Sequence, residues 1–240
     1  MDPKYAEQYL EFFEKHWWWR ARAELIIETL QRLQPSTGWD YILDVGCGEG
    51  LFFPRLRQFG MVEGIEPAWR MENERNADGN HIYTCSFDQN FQPPHKYSLI
   101  LMLDVLEHLQ DPIGALRHAR ELLEPNGTIL ITVPAFRTLW TNHDVLNHHF
   151  TRYTKAGLGQ LTASAGLRII EARYFFHWLY VAKFIVHIFE HAFHPESKLP
   201  HVPRAGINRF LYMISRAEQK LFGKLPIPIG SSLMAVVERQ

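Results

Sequence analysis

Three glycines at alternate positions, Gly46, Gly48 and Gly50, follow the apolar run Tyr41-Ile42-Leu43-Asp44-Val45. Glycine takes positive φ without strain and lets a ligand touch the backbone where a Cβ would collide. The next apolar run ends on an acid, Glu66, 22 positions after Asp44. A carboxylate there accepts two hydrogen bonds from a ribose diol, in the crevice beyond the carboxyl ends of parallel strands. The pattern therefore suits a nucleotide-like ligand. A dinucleotide fingerprint spaces its glycines G-x-G-x-x-G, and its third glycine position is Leu51 here. The observed G-x-G-x-G spacing disfavours a nicotinamide oxidoreductase.

Imidazoles form the second reactive group. His108 follows the fourth predicted strand, and His143, His148, His149 and Tyr153 crowd into residues 142–154. An unperturbed imidazole pKa of about 6.5 suits proton transfer near neutral pH. Two cysteines in 240 residues exclude a disulfide scaffold and a four-cysteine zinc site. Lys and Arg number 25 against 26 Asp and Glu, so no surface-wide nucleic-acid binding is expected.

The elements that must position these groups alternate. Apolar runs at 41–45, 61–66, 82–85, 98–103, 128–133, 167–175 and 232–237 read as strands. Amphipathic stretches at 51–59, 67–75, 112–123 and 154–165 read as helices, with Pro125-Asn126-Gly127 as the turn before the fifth strand. This predicts an α/β fold: a doubly wound, seven-stranded, mostly parallel sheet with helices on both faces. Residues 1–39 form an N-terminal helical cover carrying Trp17-Trp18-Trp19. Residues 40–173 and 230–240 form the Rossmann-like core, and 174–229 a helical insertion before the last strand.

The octapeptide Leu43-Asp44-Val45-Gly46-Cys47-Gly48-Glu49-Gly50 resembles the first motif of the Rossmann-like, S-adenosylmethionine-dependent methyltransferases. Gly64-Ile65-Glu66-Pro67 is similar to their ribose-binding strand end. Leu103-Asp104-Val105-Leu106-Glu107-His108-Leu109 resembles the segment after the fourth strand in the small-molecule branch, and Leu123-Glu124-Pro125-Asn126-Gly127-Thr128 the turn before the fifth. The resemblance covers residues 40–175 and the final strand. It implies S-adenosylmethionine as cofactor and S-adenosylhomocysteine as product, with Gly46, Cys47 and Gly48 at the methionine part and Glu66 and Pro67 at the ribose.

The family's acid after the third strand is replaced by Cys85-Ser86-Phe87-Asp88. Ser86 or a shifted Asp88 is expected at the adenine amino group, with Phe87 on the ring face. Asp44, Leu103 and Asp104 are expected around the sulfonium and amino group, although Asp44 is equally suited to bracing the turn. Arg20 or Arg22 reaches the cofactor carboxylate if the N-terminal helix folds over the site. Residues 142–154 resemble a lid pattern after the fifth strand, so His108, His143, His149 and Tyr153 are the candidate catalytic residues.

His143, Asp144, His148 and His149 offer metal-ligand atoms, but the metal carboxylates of catechol-type relatives have no counterpart, and no metal is expected. The fourth strand ends without the Asn/Asp-Pro-Pro-aromatic motif used on flipped adenines, and neither cysteine sits in a Pro-Cys pair. A small-molecule acceptor is favoured over a base. A non-catalytic module that keeps the cofactor fold is the alternative.

Segments 1–20, 134–153 and 174–229 hold 22 of the 32 aromatics and nine of the 13 histidines, so these unusual residue types belong to the cover. Residues 174–229 carry seven Lys or Arg against three Asp or Glu. Lys183, His187, Glu190, His191 and His194 recur on one helical face there, opposite a wide apolar face. Such an insertion suits a deep pocket for an aromatic or lipid-linked acceptor, a homodimer interface or a peripheral membrane contact. Its plain alternative is a packed cap with a basic outer face. The apolar stretch 174–193 is too interrupted by charge to span a bilayer. With no apolar signal core at the N-terminus, a cytoplasmic location is expected.

Overall fold

The computed structural model describes residues 9–67, 81–193, 201–223 and 225–240. Their strands are β1 (Tyr41–Val45), β2 (Met61–Ile65), β3 (His81–Tyr83), β4 (Tyr97–Leu103), β5 (Leu123–Pro134), β6 (Leu167–Phe175) and β7 (Ser232–Arg239). They form one sheet in the order β3-β2-β1-β4-β5-β7-β6. The pairs β3-β2, β2-β1, β1-β4 and β4-β5 are parallel. The last strand reverses: the Gln240 amide donates to Gly166 O and the Ser231 amide to Phe176 O, each at 3.2 Å, so β7 runs antiparallel to β6. The expected seven-stranded, mostly parallel α/β sheet is thus present.

The helices are α1 (Tyr9–Lys15), α2 (Trp17–Leu33), α3 (Phe53–Leu56), α4 (Pro112–Leu122), α5 (Asn142–Leu146), α6 (Lys155–Ser164), α7 (His177–Phe193) and α8 (Ala205–Phe222). Among them α4 shows the local logic well. Asp111 caps it by accepting the Gly114 amide at 2.9 Å, and Pro112 enters at its first turn. Ala115, Leu116, His118, Ala119 and Leu122 then form one buried stripe.

Two local expectations change. The helix expected over 51–59 shortens to the four residues of α3, flanked by turns. Pro125-Asn126-Gly127 is no turn before β5 but an irregularity inside it, because Tyr97 pairs with Leu123 and Leu99 already with Thr128. Five residues of one strand thus face two steps of the other. A Cβ on Gly127 would sit 2.7 Å from Leu123 Cγ and 3.0 Å from Tyr97 O, so the bulge closes only around glycine. The expected helix over 67–75 lies outside the described residues after Pro67, as do His194 and the side chain of His191.

By packing, the chain divides into two compact units. One holds residues 30–133, 155–172 and 234–240; the other holds 1–29, 134–154 and 173–233. In the first, β1 and β4 form the centre of the sheet, and Ile42, Leu43, Leu99, Ile100 and Leu101 have no exposed surface. Runs this apolar fit strands covered on both faces. In the second, Trp17 lies edge-on to Phe176 at 6.0 Å and against Trp178 at 5.3 Å, which ties α2 to α7. No helix of the described residues is long and apolar enough to cross a membrane.

Candidate active site

Strand order reverses between β1 and β4, because the chain leaves β1 towards β2 and β3 and returns on its other side. Ligands of open α/β sheets bind outside the carboxyl ends at such a point. Here the carboxyl end of β1 carries Asp44 and the glycine turn, that of β2 carries Glu66, and that of β4 carries Leu103 and Asp104. Cα pairing sets Asp44 against Gly64 on one side and Leu101 on the other, so these ends stand side by side.

The turn is built from left-handed backbone. Gly46, Gly48 and Gly50 have φ of 72°, 55° and 74°. A Cβ on Gly48 would meet nothing within 4 Å, so the turn leaves open space beside its backbone. The Gly46 amide donates to Ile65 O at 2.8 Å, and the Gly48 amide to Glu66 Oε2 at 3.0 Å. Glu66 is fully buried. Gly64 lies beneath: a Cβ there would stand 2.4 Å from Cys47 Sγ and 2.6 Å from the Phe53 ring, so its absence lets both side chains pack onto β2. Burial, then Asp44 and Glu66, push the Cys47 thiol far up, so it stays protonated and serves no nucleophilic role.

At the end of β4, Asp104 is held at φ 59°, an uncommon conformation for a residue with a side chain. Two bonds fix it there. Its amide donates to Thr132 O at 2.8 Å, and its Oδ1 accepts the Thr132 hydroxyl at 3.0 Å. His108 closes the 3-10 turn Leu106–His108 and is half-buried, beside the buried Glu107. After β3, Ser86 and Asp88 are exposed, with Asp88 Oδ1 accepting the Asn90 amide at 2.8 Å. The half-buried Phe87 packs against His118, ring centroids 5.1 Å apart. A buried acid bonded to the Gly48 amide, with open space beside that glycine, fits the ribose and methionine parts of S-adenosylmethionine.

The other unit holds the remaining candidates. Asp144, with no exposed surface, accepts Arg152 Nε at 2.8 Å on Oδ1 and Arg152 Nη2 at 2.8 Å on Oδ2. Its Oδ2 also accepts the Thr141 amide at 2.9 Å, which caps α5, and its Oδ1 contacts His149 Nδ1 at 2.8 Å. Burial opposes the charge, but the bonds from His149 and Arg152 outweigh it and hold the Asp144 carboxyl far below its usual range. An ionised carboxylate only accepts, so His149 Nδ1 carries the proton, and in the neutral ring Nε2 keeps its lone pair. His149 is thereby oriented as a proton acceptor.

His143 differs in kind. Burial, then the Lys183 ammonium, lower its pKa to about 3, so it is neutral at physiological pH and its conjugate acid is too acidic for efficient base catalysis there. Tyr153 is buried and its backbone pairs with Ala135. Arg20 is exposed, with its guanidinium 4.5 Å from the Tyr212 ring centroid. Arg22 is buried within 6.0 Å of the Trp18 and Trp19 rings. Sequence reasoning missed Arg152 and Thr132. Each works through one partner, Asp144 or Asp104, and no periodic pattern marks such a pair.

A family model described as a methyltransferase domain matches residues 18–172. The ubiquinone biosynthesis O-methyltransferase of Nitrosospira multiformis is 25% identical over 191 residues, covering 65% of this chain and 77% of that one. The protein of the same name from Bradyrhizobium diazoefficiens is 29% identical over 97 residues, covering 38% of each, so the chain spans well under half of that relative. Among solved structures, a SAM-dependent methyltransferase from Archaeoglobus fulgidus gives a TM-score of 0.55 at 16% identity, over 90% of this chain and 94% of that one. The structure of a complex with the Haloferax volcanii Trm112 methyltransferase activator gives 0.59 at 16% identity, over 98% and 94%. At such identities the structural likeness is one of fold.

Proposed function

Since the chain belongs to the methyltransferase-domain family and is an S-adenosylmethionine-dependent enzyme, we propose that it methylates an oxygen or nitrogen nucleophile of a small-molecule acceptor, with aromatic and lipid-linked hydroxyl compounds as the leading class. The observation that carries the reading is the Glu66–Gly48 bond, which joins the acid at the end of β2 to the open glycine turn at the end of β1. The names of the relatives, O-methyltransferases of ubiquinone biosynthesis, support the choice of oxygen.

When bound, the cofactor supplies an electrophilic methyl group on a sulfonium. Glu66 receives the ribose hydroxyls, with Pro67 beside it. The backbone of Gly46, Cys47 and Gly48 borders the methionine part, and the carboxylates of Asp44 and Asp104 complement the positive charge there, next to Leu103. Ser86, Phe87 and Asp88 border the adenine. Alignment and exclusion of water are the protein's main contribution to an in-line displacement. His149 Nε2 would take the acceptor's proton as the methyl group passes to the acceptor, which would leave the bound cofactor as a thioether. Asp144 stabilises the imidazolium that results. In this reading His108 and Tyr153 would contact the acceptor, and His143 would be a neutral hydrogen-bonding neighbour.

Calorimetric titration with S-adenosylhomocysteine, followed by methyl transfer from labelled cofactor to a panel of catechols, phenols and amines, tests the reading. Tight product binding with transfer to a hydroxyl acceptor is the expected result. Binding without transfer to any member would leave a non-catalytic cofactor-fold module, and no binding at all would overturn the site.

A further inference from the structure

Helices α7 and α8 are inside out. On α7, Val181, Phe184, Ile185, Ile188 and Phe189 recur at i, i+3, i+4, i+7 and i+8, and all are exposed, Ile185 by 62%. The polar residues of the same helix turn inward: His187 Nδ1 contacts Trp140 O at 2.6 Å, and Glu190 Oε2 accepts the Asn142 amide at 2.8 Å. The plain expectation for this helix, a polar outer face over an apolar contact, is reversed.

On α8 the buried residues are Asn208, Ser215, Glu218 and Gln219. Asn208 accepts the Trp17 amide at 2.9 Å and donates to Lys15 O at 2.7 Å. Glu218 accepts the His177 and Trp178 amides, each at 2.9 Å, so its carboxylate caps the N-terminus of α7. Ser215 Oγ accepts Trp178 Nε1 at 3.2 Å. Outward on α8 stand Ile207, Phe210, Met213 and Leu221, between 55% and 70% exposed. Two adjacent helices thus spend their polar side chains on the interior and present apolar side chains to solvent, which an isolated soluble surface does not favour.

What covers this surface follows from its charges. The acids of the two helices, Glu190 and Glu218, are both engaged inside, whereas the exposed ionisable residues of α8 are Arg209 and Lys220, with Arg204 at its start. Among the described residues the ionisable side chains exposed on α8 itself are all cations, which makes its apolar face complementary to an anionic interface and unfavourable towards a second copy of itself. Among the described residues neither helix is long and apolar enough to cross a bilayer. We infer that the outward faces of α7 and α8 dock on an anionic lipid bilayer, the helices lying in the headgroup plane with their phenylalanines and isoleucines in the acyl boundary and Arg204, Arg209 and Lys220 on lipid phosphates. The inference stands on exposure and charge alone and is independent of the acceptor's identity.

Flotation of the full chain with vesicles tests it, using equimolar phosphatidylcholine and phosphatidylglycerol against phosphatidylcholine alone. The expected result is binding to the anionic vesicles, weaker binding to the neutral ones, and weakening with added salt. Ile185→Glu with Phe189→Glu should lower the partition coefficient by about tenfold or more, and Arg209→Glu with Lys220→Glu should abolish the preference for anionic lipid. All four residues are exposed or at the surface rim, so unchanged circular dichroism and unchanged S-adenosylhomocysteine affinity are the controls for folding. Failure of the wild type to float with anionic vesicles would overturn the proposal, as would equal binding by the apolar variant. Sedimentation equilibrium showing a dimer that the apolar variant splits, without vesicle binding, would assign the face to a second copy instead.

Discussion

Glu66 Oε2 accepts the backbone amide of Gly48 at 3.0 Å, so the carboxylate proposed for the ribose diol also braces the glycine turn. The two roles separate by substitution. Glu66→Gln keeps an oxygen for the Gly48 amide but loses the charge, whereas Glu66→Ala loses both. Charge-assisted hydrogen bonds contribute about 1.5–3 kcal/mol, so Glu66→Ala should weaken S-adenosylhomocysteine binding by roughly ten- to a hundredfold, and Glu66→Gln by less. Calorimetry reads both, and unaltered affinity in the alanine variant would remove Glu66 from the cofactor site.

Asp144 binds His149 and Arg152 as well as the Thr141 amide, and its variants should split stability from turnover. His149→Ala leaves the Asp144–Arg152 pair in place, so the fold should hold while turnover falls by about 10²–10⁴ with product affinity kept. Asp144→Asn instead leaves the buried Arg152 guanidinium without its counter-charge, which costs about 3–5 kcal/mol in comparable buried pairs. A large fall in melting temperature is expected there, together with lost turnover. Full activity in His149→Ala would show that the acceptor needs no base from this residue.

The sheet was legible because its strands are continuous apolar runs between strong punctuation. Asp44-Val45-Gly46 ends β1 where the structure ends it, and the reach of β6 and the start of β7 agree to the residue. The bulge at Pro125-Asn126-Gly127 was not, since a turn and a strand irregularity use the same residues and only pairing with Tyr97 and Leu99 tells them apart. At the site, glycine spacing and the distance to Glu66 are local features and were readable. The bond from Arg152 to Asp144 and that from Thr132 to Asp104 depend on how loops and strands meet in space. For α7 the apolar face with Phe184, Ile185, Ile188 and Phe189 was plain, but which face points inward depends on Trp140 and Asn142, far away in sequence.

Gly64 gives a packing prediction. A methyl group there would overlap Cys47 Sγ and the Phe53 ring at 2.4 and 2.6 Å, both contacts shorter than van der Waals separation. Overpacking of this kind costs about 1–3 kcal/mol, and Gly64→Ala should lower the melting temperature by several degrees. Because Cys47 belongs to the glycine turn, product affinity should fall with it. Adding Cys47→Ala removes the sulfur but leaves Phe53, so it should restore only part of the stability. Wild-type stability in Gly64→Ala would mean that the turn relaxes without cost.

Acid should loosen the unit that contains α1, α7 and α8 before any carboxylate is protonated. His143 is lowered to about 3, chiefly by burial, and His16 to about 4 by burial and then by His201, against an unfolded value near 6.5. Between those values the unfolded chain binds protons that the folded chain refuses, so stability falls as pH drops from about 6.5, by about 1 kcal/mol per unit for each such histidine. Asp144 acts in a different window. Its folded value is depressed, so its contribution is complete above the ordinary carboxylate range near 3.8 and is lost only below it. The Trp17 ring lies 5.6 Å from that of His16, which makes tryptophan fluorescence a local reporter. Urea midpoints measured by fluorescence should therefore decline between pH 7 and pH 5 in the wild type, and His143→Gln should reduce that slope without altering the loss below about pH 3. An identical acid slope in the two proteins would show that His143 takes up its proton in the folded state.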